Sequence, residues 1–351
     1  ASGITEGQLD NHKTWENVSE ETTMLSEKWD LAVKEAVNKG MKGSSNIQIP
    51  PALLDYVLKL ENTAKVDWRK VLQEFIDKCS ELGKEVHSMA VIRNNKLACE
   101  VYKAPFGREH NHMMYSVSKS FTSTAIGFAG HEGYFDVNTR FLDIFPEARP
   151  EKFDEYLEEM TVEDLLTMRS GKSVSVFLDR TKDRWFKDIM ESPWISEPGT
   201  EFLYISENMY LLCCIIHKLT GMSVIEYLTP RLFEPLGIEN PFWETCPSGV
   251  EAGGWGMMLS LEDLGKIMYC YQQMRKFNGK QVIPEEWVKV STAYHADNSH
   301  TQQDSDCVEG YGYCFWRNGG YKKSYRADGM FCQFGIVFED YDVCLIITAG
   351  E

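Results

Sequence analysis

The sequence predicts a mixed α/β fold (α+β): an antiparallel sheet flanked by helices, with strands from both ends of the chain and a mostly helical domain inserted between them. Three observations predict it. Near the C-terminus, "YGYCFWRN", "KKSYRAD", "FCQFGIVFED" and "VCLIITAG" alternate as antiparallel strands do. Far upstream, "VHSMAVIRNNKLACEVYKA" sets two β-prone runs around Asn94-Asn95, the turn chemistry of a hairpin. From 135 to 252 the chain reads as helices stopped by Gly or Pro, with no parallel βαβ rhythm. The expected organisation is an N-terminal helical arm over 1–50, a sheet domain from 51–134 and 253–351, and a helical domain over 135–252.

The elements follow in order. Residues 1–50 are polar and helix-prone, and end in a Gly/Ser break and "IPP". "VDWRKVLQEFIDKCSELG" puts Val66, Trp68, Val71, Leu72, Phe75 and Ile76 on one helix face with a glycine stop. After the hairpin, "HMMYSVSKSFTSTAIGFAGHEGYF" predicts a helix whose Val117, Phe121, Thr124 and Phe128 share a buried face, ending at Gly130 and Gly133. "NMYLLCCIIHKLTG" reads as a buried helix. "SLEDLGKIMYCYQQM" reads as another, opened by the capping pattern Ser260-x-x-Asp263.

Composition narrows the function classes. With 351 residues and 43% hydrophobic content the chain buries a substantial core. A net charge of −17 argues against nucleic acid or an anionic membrane as partner, because both call for a basic face. No apolar run reaches membrane-span length, and "ASGITEGQLDNHK" lacks the basic start and apolar stretch of a secretory signal. The ten cysteines are scattered without a CxxC pair and read as reduced core thiols, which favours a cytoplasmic setting. The eight histidines show no ligand spacing, so neither a metal nor a cofactor is implied. A small molecule is the expected partner, and oligomeric state is not legible.

The chemistry concentrates in "YSVSKS". Residues three apart on a helix are neighbours, so Lys119 can reach the Ser116 hydroxyl. A free lysine, with a pKa of about 10.4, is a poor base at neutral pH; burial near a helix N-terminus disfavours its charged form and corrects that. The Ser116 N–H, in the unsatisfied first turn, is free to donate to an oxyanion. Ser-x-x-Lys fixes only two positions and carries little weight by itself.

Four further segments, in order, give it that weight. "YSVSKS" resembles the first motif of the serine β-lactamase and penicillin-binding-protein superfamily, in its class C and esterase branch. "TVEDLLTMRSG", "EPGTEFLYISENMYLL", "GGWGMMLSLEDLGK" and "YRADGMFCQFGIVFEDYDVCLIITAG" resemble later segments of the same family, so the similarity runs from about 87 to 351. The resemblance implies a β-lactamase/transpeptidase-like fold and a serine hydrolase that forms an acyl-enzyme on Ser116, with Lys119 and Tyr204 sharing the proton transfers. Which of the two is the resting base stays open. It implies an oxyanion hole from the N–H groups of Ser116 and Met330, and substrate contacts from Ser206, Trp255, Asp328, Gly329 and Gln333. For Trp255 core packing is an equal alternative, and Gln333 equally suits a role in orienting the strand. Arg169 and Ser170 are expected to hold a loop, and His112 and His131 to lie at the surface or cap a helix.

Three departures stand out. Ser206 occupies the position of the second motif's asparagine, so a hydrogen bond to Lys119 or substrate is expected to be shortened or lost. The Lys-Thr-Gly motif is replaced by Ala327-Asp328-Gly329, which removes the cation for a substrate carboxylate and disfavours β-lactams and D-Ala-D-Ala peptides. Arg326 is adjacent but on the opposite face of a regular pleat, and Asp328, unless tied to a structural partner, would bring a negative charge toward the site, suiting a substrate amine or hydroxyl as in nylon-oligomer hydrolases. The chain also ends at Glu351, where the family continues with a helix; either the N-terminal arm covers that face or the chain is shortened. The expected function is hydrolysis of a small ester or amide. A sensor or binding protein that keeps the fold without turnover, and a β-lactamase or DD-peptidase, are the alternatives.

Overall fold

The computed structural model describes residues 67–152, 154–173, 183–274, 276–301, 307–319 and 323–350; the arm expected over 1–50 lies outside them. Nine strands are present among the described residues: β1 (Val86–Arg93), β2 (Lys96–Tyr102), β3 (His112–Met113), β4 (Phe242–Trp243), β5 (Met257–Leu259), β6 (Trp316–Arg317), β7 (Ser324–Gly329), β8 (Gln333–Phe338) and β9 (Val343–Ala349). Six of them make one antiparallel sheet in the order β2-β1-β9-β8-β7-β6. The first and last strands are therefore neighbours at its centre, with Ala90 opposite Ile346. Asn94 and Asn95 both take positive φ, 48° and 63°, and close the predicted two-residue hairpin between Arg93 and Lys96.

The four longest described helices are α1 (Trp68–Glu81), α2 (Ser118–His131), α3 (Glu207–Thr220) and α4 (Leu261–Tyr271). α1 starts at Asp67, whose carboxylate accepts from the Lys70 N–H at 3.0 Å. It buries Leu72, Phe75, Ile76 and Cys79 against one sheet face, where Met89, Val91, Ile336, Leu345 and Ile347 point. The other face carries Ala90, Ile92, Val337, Cys344 and Ile346. α4 lies across it, begun as predicted by Ser260, whose hydroxyl accepts from the Asp263 N–H at 3.1 Å. That second core continues without a break through α2 into α3 and the shorter helices between 141 and 236. All ten cysteines are buried and unbridged.

Two expectations are revised. The predicted one-sided α2 is buried on every side from Ser118 to Ala129, which its hydroxyls permit because each finds a partner. Ser120 and Ser123 donate to the carbonyls of Cys314 and Tyr313, Thr122 to that of Gly253, and Thr124 shares a hydrogen bond with Tyr271. His112, expected at the surface or as a cap, is buried on β3 beside Phe106, with its Nε2 3.0 Å from His87 Nδ1. His131 does sit exposed in the last turn of α2. The small sheet β3-β5-β4 was not foreseen, its strands being only two or three residues long. Among the described residues no single helix is long and apolar enough to cross a membrane, and no group of three or more His, Cys, Asp or Glu is placed to hold a metal.

Candidate active site

The site forms where α2 begins. Tyr115–Val117 make a 3-10 turn that leads straight into the helix, and Tyr115 is held at φ 46°. Such a conformation costs a bulky residue on the order of 1–3 kcal/mol and persists only where its surroundings enforce it. Here β5 does so: the Met114 N–H donates to the Met257 carbonyl at 2.8 Å, and the Met257 N–H donates to Ser118 Oγ at 3.1 Å. Ser116 is left half-buried, open on one side.

Lys119, one turn on, is 1% exposed. Its Nζ contacts three oxygens: Ser116 Oγ at 2.9 Å, Ser206 Oγ at 3.1 Å and the Gly254 carbonyl at 2.8 Å. Burial pulls its pKa down to about 7, against the opposing pull of Cys314, Glu207 and Asp328. A neutral amine has two N–H donors and one lone pair. Ser206 and the Gly254 carbonyl can take the donors, which leaves the lone pair facing Ser116. A second buried lysine, Lys172, gives the contrast: among the described residues its Nζ donates to the carbonyls of Met190 and Ser192 and lies 3.8 Å from the Trp194 ring centre.

Tyr204 arrives on the loop before α3. Its ring lies beneath Lys119 Nζ, 4.7 Å from nitrogen to centroid. Burial pushes the phenol pKa well above its ordinary value, so it stays protonated. Trp316 and Tyr311 wall the ring at 5.0 and 6.0 Å between centroids. Neither was singled out in the sequence, because both belong to the "YGYCFWRN" run that reads simply as strand.

The expected loss at Ser206 does not occur, since its bond to Lys119 is kept at 3.1 Å. The shorter side chain reaches because the backbone comes closer: a Cβ on Gly254 would sit 2.5 Å from Ser206 Cβ. Gly254 is thus a missed site residue, as both a Lys119 partner and a spacer, and the Gly253-Gly254 pair was its signal. Gly329 performs the same service on β7, where a Cβ would meet the Met114 carbonyl at 2.3 Å. This contact seats the end of β7, and the exposed Met330 beyond it, beside the Ser116 turn.

The other predicted residues divide. Trp255 is half-buried against Trp185, its Nε1 donating to Glu244 at 3.1 Å. Gln333 is fully engaged with backbone: its amide donates to the carbonyls of Ala349 and Phe331 at 2.6 and 3.1 Å and accepts from the Ala349 N–H at 3.3 Å. It orders the β7–β8 turn, which is the strand-orienting role of the two expected for it. Asp328 does have a structural partner, the condition on which its charge at the site depended. The pleat that separates Arg326 from Ala327 puts it on the face of Asp328, and Arg326 Nε donates to Asp328 Oδ2 at 2.8 Å. Arg169 and Ser170 hold a loop as expected, through the Gly199 carbonyl and Asn208 Oδ1.

Comparison with known proteins places the chain in a family. The Beta-lactamase family profile matches residues 72–349. The 6-aminohexanoate-dimer hydrolase of Paenarthrobacter ureafaciens is 23% identical over 215 residues, 57% of this chain and 55% of that protein. A D-aminopeptidase of Brucella anthropi is 30% identical over 129 residues, 35% of this chain and 24% of that protein. The chain thus spans about half or less of these two relatives. Among solved structures, EstCE1, described as a hydrolase with promiscuous acyltransferase activity, superposes with a TM-score of 0.65 at 13% identity, covering 80% of this chain and 93% of that one. A profile match across most of the chain, on a sheet and helix arrangement shared with such structures, establishes that the protein belongs to the Beta-lactamase family.

Proposed function

We propose that the protein is a serine hydrolase that cleaves a small carboxylic ester or amide through an acyl-enzyme on Ser116. One observation carries the reading: a lysine buried among three oxygens, shifted to about 7, with its nitrogen 2.9 Å from a half-exposed serine hydroxyl. A purely structural lysine gains nothing from a hydroxyl that is itself left partly open to solvent, as Ser116 is.

The chemistry runs as follows. Neutral Lys119 takes the Ser116 proton as Oγ bonds to the acyl carbon. The N–H groups of Ser116 and Met330 stabilise the oxyanion, each such donor being worth about 2.7–4 kcal/mol. As the tetrahedral adduct collapses, the bond to the leaving oxygen or nitrogen breaks, and the proton passes from Lys119 through the Tyr204 hydroxyl to the leaving group. Water then attacks the acyl-enzyme by the reverse proton path, releasing the acid and restoring Ser116. The contrast between a lysine lowered to about 7 and a phenol pushed up, together with the 2.9 Å from Lys119 Nζ to Ser116 Oγ, supports Lys119 as the resting base and Tyr204 as the shuttle. Relatives named as an amide-dimer hydrolase, an aminopeptidase and a hydrolase with acyltransferase activity support this reaction class.

The test is a fluorophosphonate label together with a p-nitrophenyl ester burst. Both should be present in the wild type, and Ser116→Ala should lose the label and lower kcat/KM by roughly 10⁴-fold or more. Equal turnover by Ser116→Ala, or specific binding of esters without turnover by the wild type, would remove the proposal.

A further inference from the structure

We infer that the β7 end of the site admits uncharged substrates and turns away carboxylates, through an Asp328 carboxylate locked in place by Arg326. The inference rests on the acyl-transfer reading above and names the substrate class that this site takes.

Three observations carry it. First, Ala327, the β7 residue before Asp328, is fully buried and carries no charge. Second, the neighbouring charge has the opposite sign and cannot swing away. Arg326 Nε donates to Asp328 Oδ2 at 2.8 Å, while its Nη1 donates to Asn318 Oδ1 at 2.5 Å and its Nη2 to Cys307 Sγ at 3.2 Å. The guanidinium is only 7% exposed, so it holds the carboxylate from the protein side and is not available to a ligand, whereas Asp328 keeps 14% of its surface open. Asp328 is near enough to interact electrostatically with both Lys119 and Tyr204. Third, the far rim of the opening is apolar: Tyr115 and Phe331 meet edge to face at 5.2 Å, and Met330 is 52% exposed beside them. A substrate that brings a carboxylate to the β7 end would meet the carboxylate side of that ion pair on one side and hydrocarbon on the other. A neutral acyl group meets neither penalty.

The experiment uses three p-nitrophenyl esters of equal acyl length: hexanoate, mono-adipate and 6-(trimethylammonio)hexanoate, with uncatalysed rates subtracted. In the wild type, kcat/KM for the hexanoate ester should exceed that for the adipate ester by on the order of 10-fold or more. Asp328→Asn should narrow that gap by a similar factor. Arg326→Gln, which uncovers the carboxylate, should raise the cationic ester relative to the hexanoate ester. Because Asp328→Asn disrupts a buried ion pair, the wild-type ratio and the Arg326→Gln ratio are each read independently of it. A wild type that cleaves the adipate ester as fast as the hexanoate ester, or an Asp328→Asn protein with the gap unchanged, would overturn the inference while leaving acyl transfer intact. Absence of hexanoate turnover together with absence of a Ser116-dependent label would remove the acyl-transfer reading, and this one with it.

Discussion

Lys119 shows how burial gives a single residue an acid–base character that its free chemistry lacks. Its amine has an ordinary value of 10.5 and sits at about 7 because it is buried. Protonated, it has no lone pair for the Ser116 proton, so kcat/KM should fall about tenfold per unit as pH drops below about 7, and Lys119→Met should abolish the limb with the activity. The same shift has a stability consequence. Between about 7 and 10.5 the unfolded chain holds the proton that the folded chain releases, so stability rises with pH across that window. Chemical melts should therefore find the stability gain of Lys119→Met over wild type largest near pH 7 and shrinking toward about pH 9. The Ser116–Lys119 pair was legible because helical spacing alone makes them neighbours. The Gly254 carbonyl, Trp316 and the Arg326–Asp328 pair were less so, since each reaches the site through tertiary contacts that no spacing encodes. Asp328 was misjudged for a local reason: counting the pleat from Ala327 set Arg326 apart, whereas counting from Asp328 puts the two on one face.

At the scale of elements, the site depends on two close approaches of backbone to backbone. Gly329 lets β7 touch the turn before α2, and a Cβ there would stand 2.3 Å from the Met114 carbonyl, an atom that cannot yield without moving Ser116. Gly329→Ala should cost about 1–3 kcal/mol in urea melts. Because the displaced strand end carries the Met330 N–H, it should also lower kcat on the order of 10²-fold with KM less affected. A stable, fully active variant would show that the strand and turn move apart freely. The sequence marked the start of α2 and the Gly-Gly turn, yet its periodicity predicted a helix with one buried face. Hydroxyl-rich helices defeat that rule, because Ser and Thr count as polar although each can be satisfied by a carbonyl inside the core, as Ser120 and Ser123 are.

At the scale of the whole molecule, the central sheet is covered on both faces, so alternation along its strands separates two cores instead of core from solvent. Ile346 points to the α4 side and Ile347 to the α1 side, and both are at most 3% exposed. Each truncation, Ile346→Ala and Ile347→Ala, should then cost about 2–5 kcal/mol by denaturant titration. A sheet with one wet face would make one of the two nearly silent. The last strands, "FCQFGIVFED" and "VCLIITAG", were read as alternating, whereas both are buried at every position of β8 and β9, so their strand character was legible and their two-sided burial was not. The pairing of the first strand with the last has a consequence in time. During synthesis the nucleophile helix leaves the ribosome long before β9, but β1 lacks its inner neighbour until β9 arrives, and a sheet so dependent on distant partners closes late. Nascent chains stalled before β9 emerges should therefore carry every catalytic side chain and yet remain unreactive.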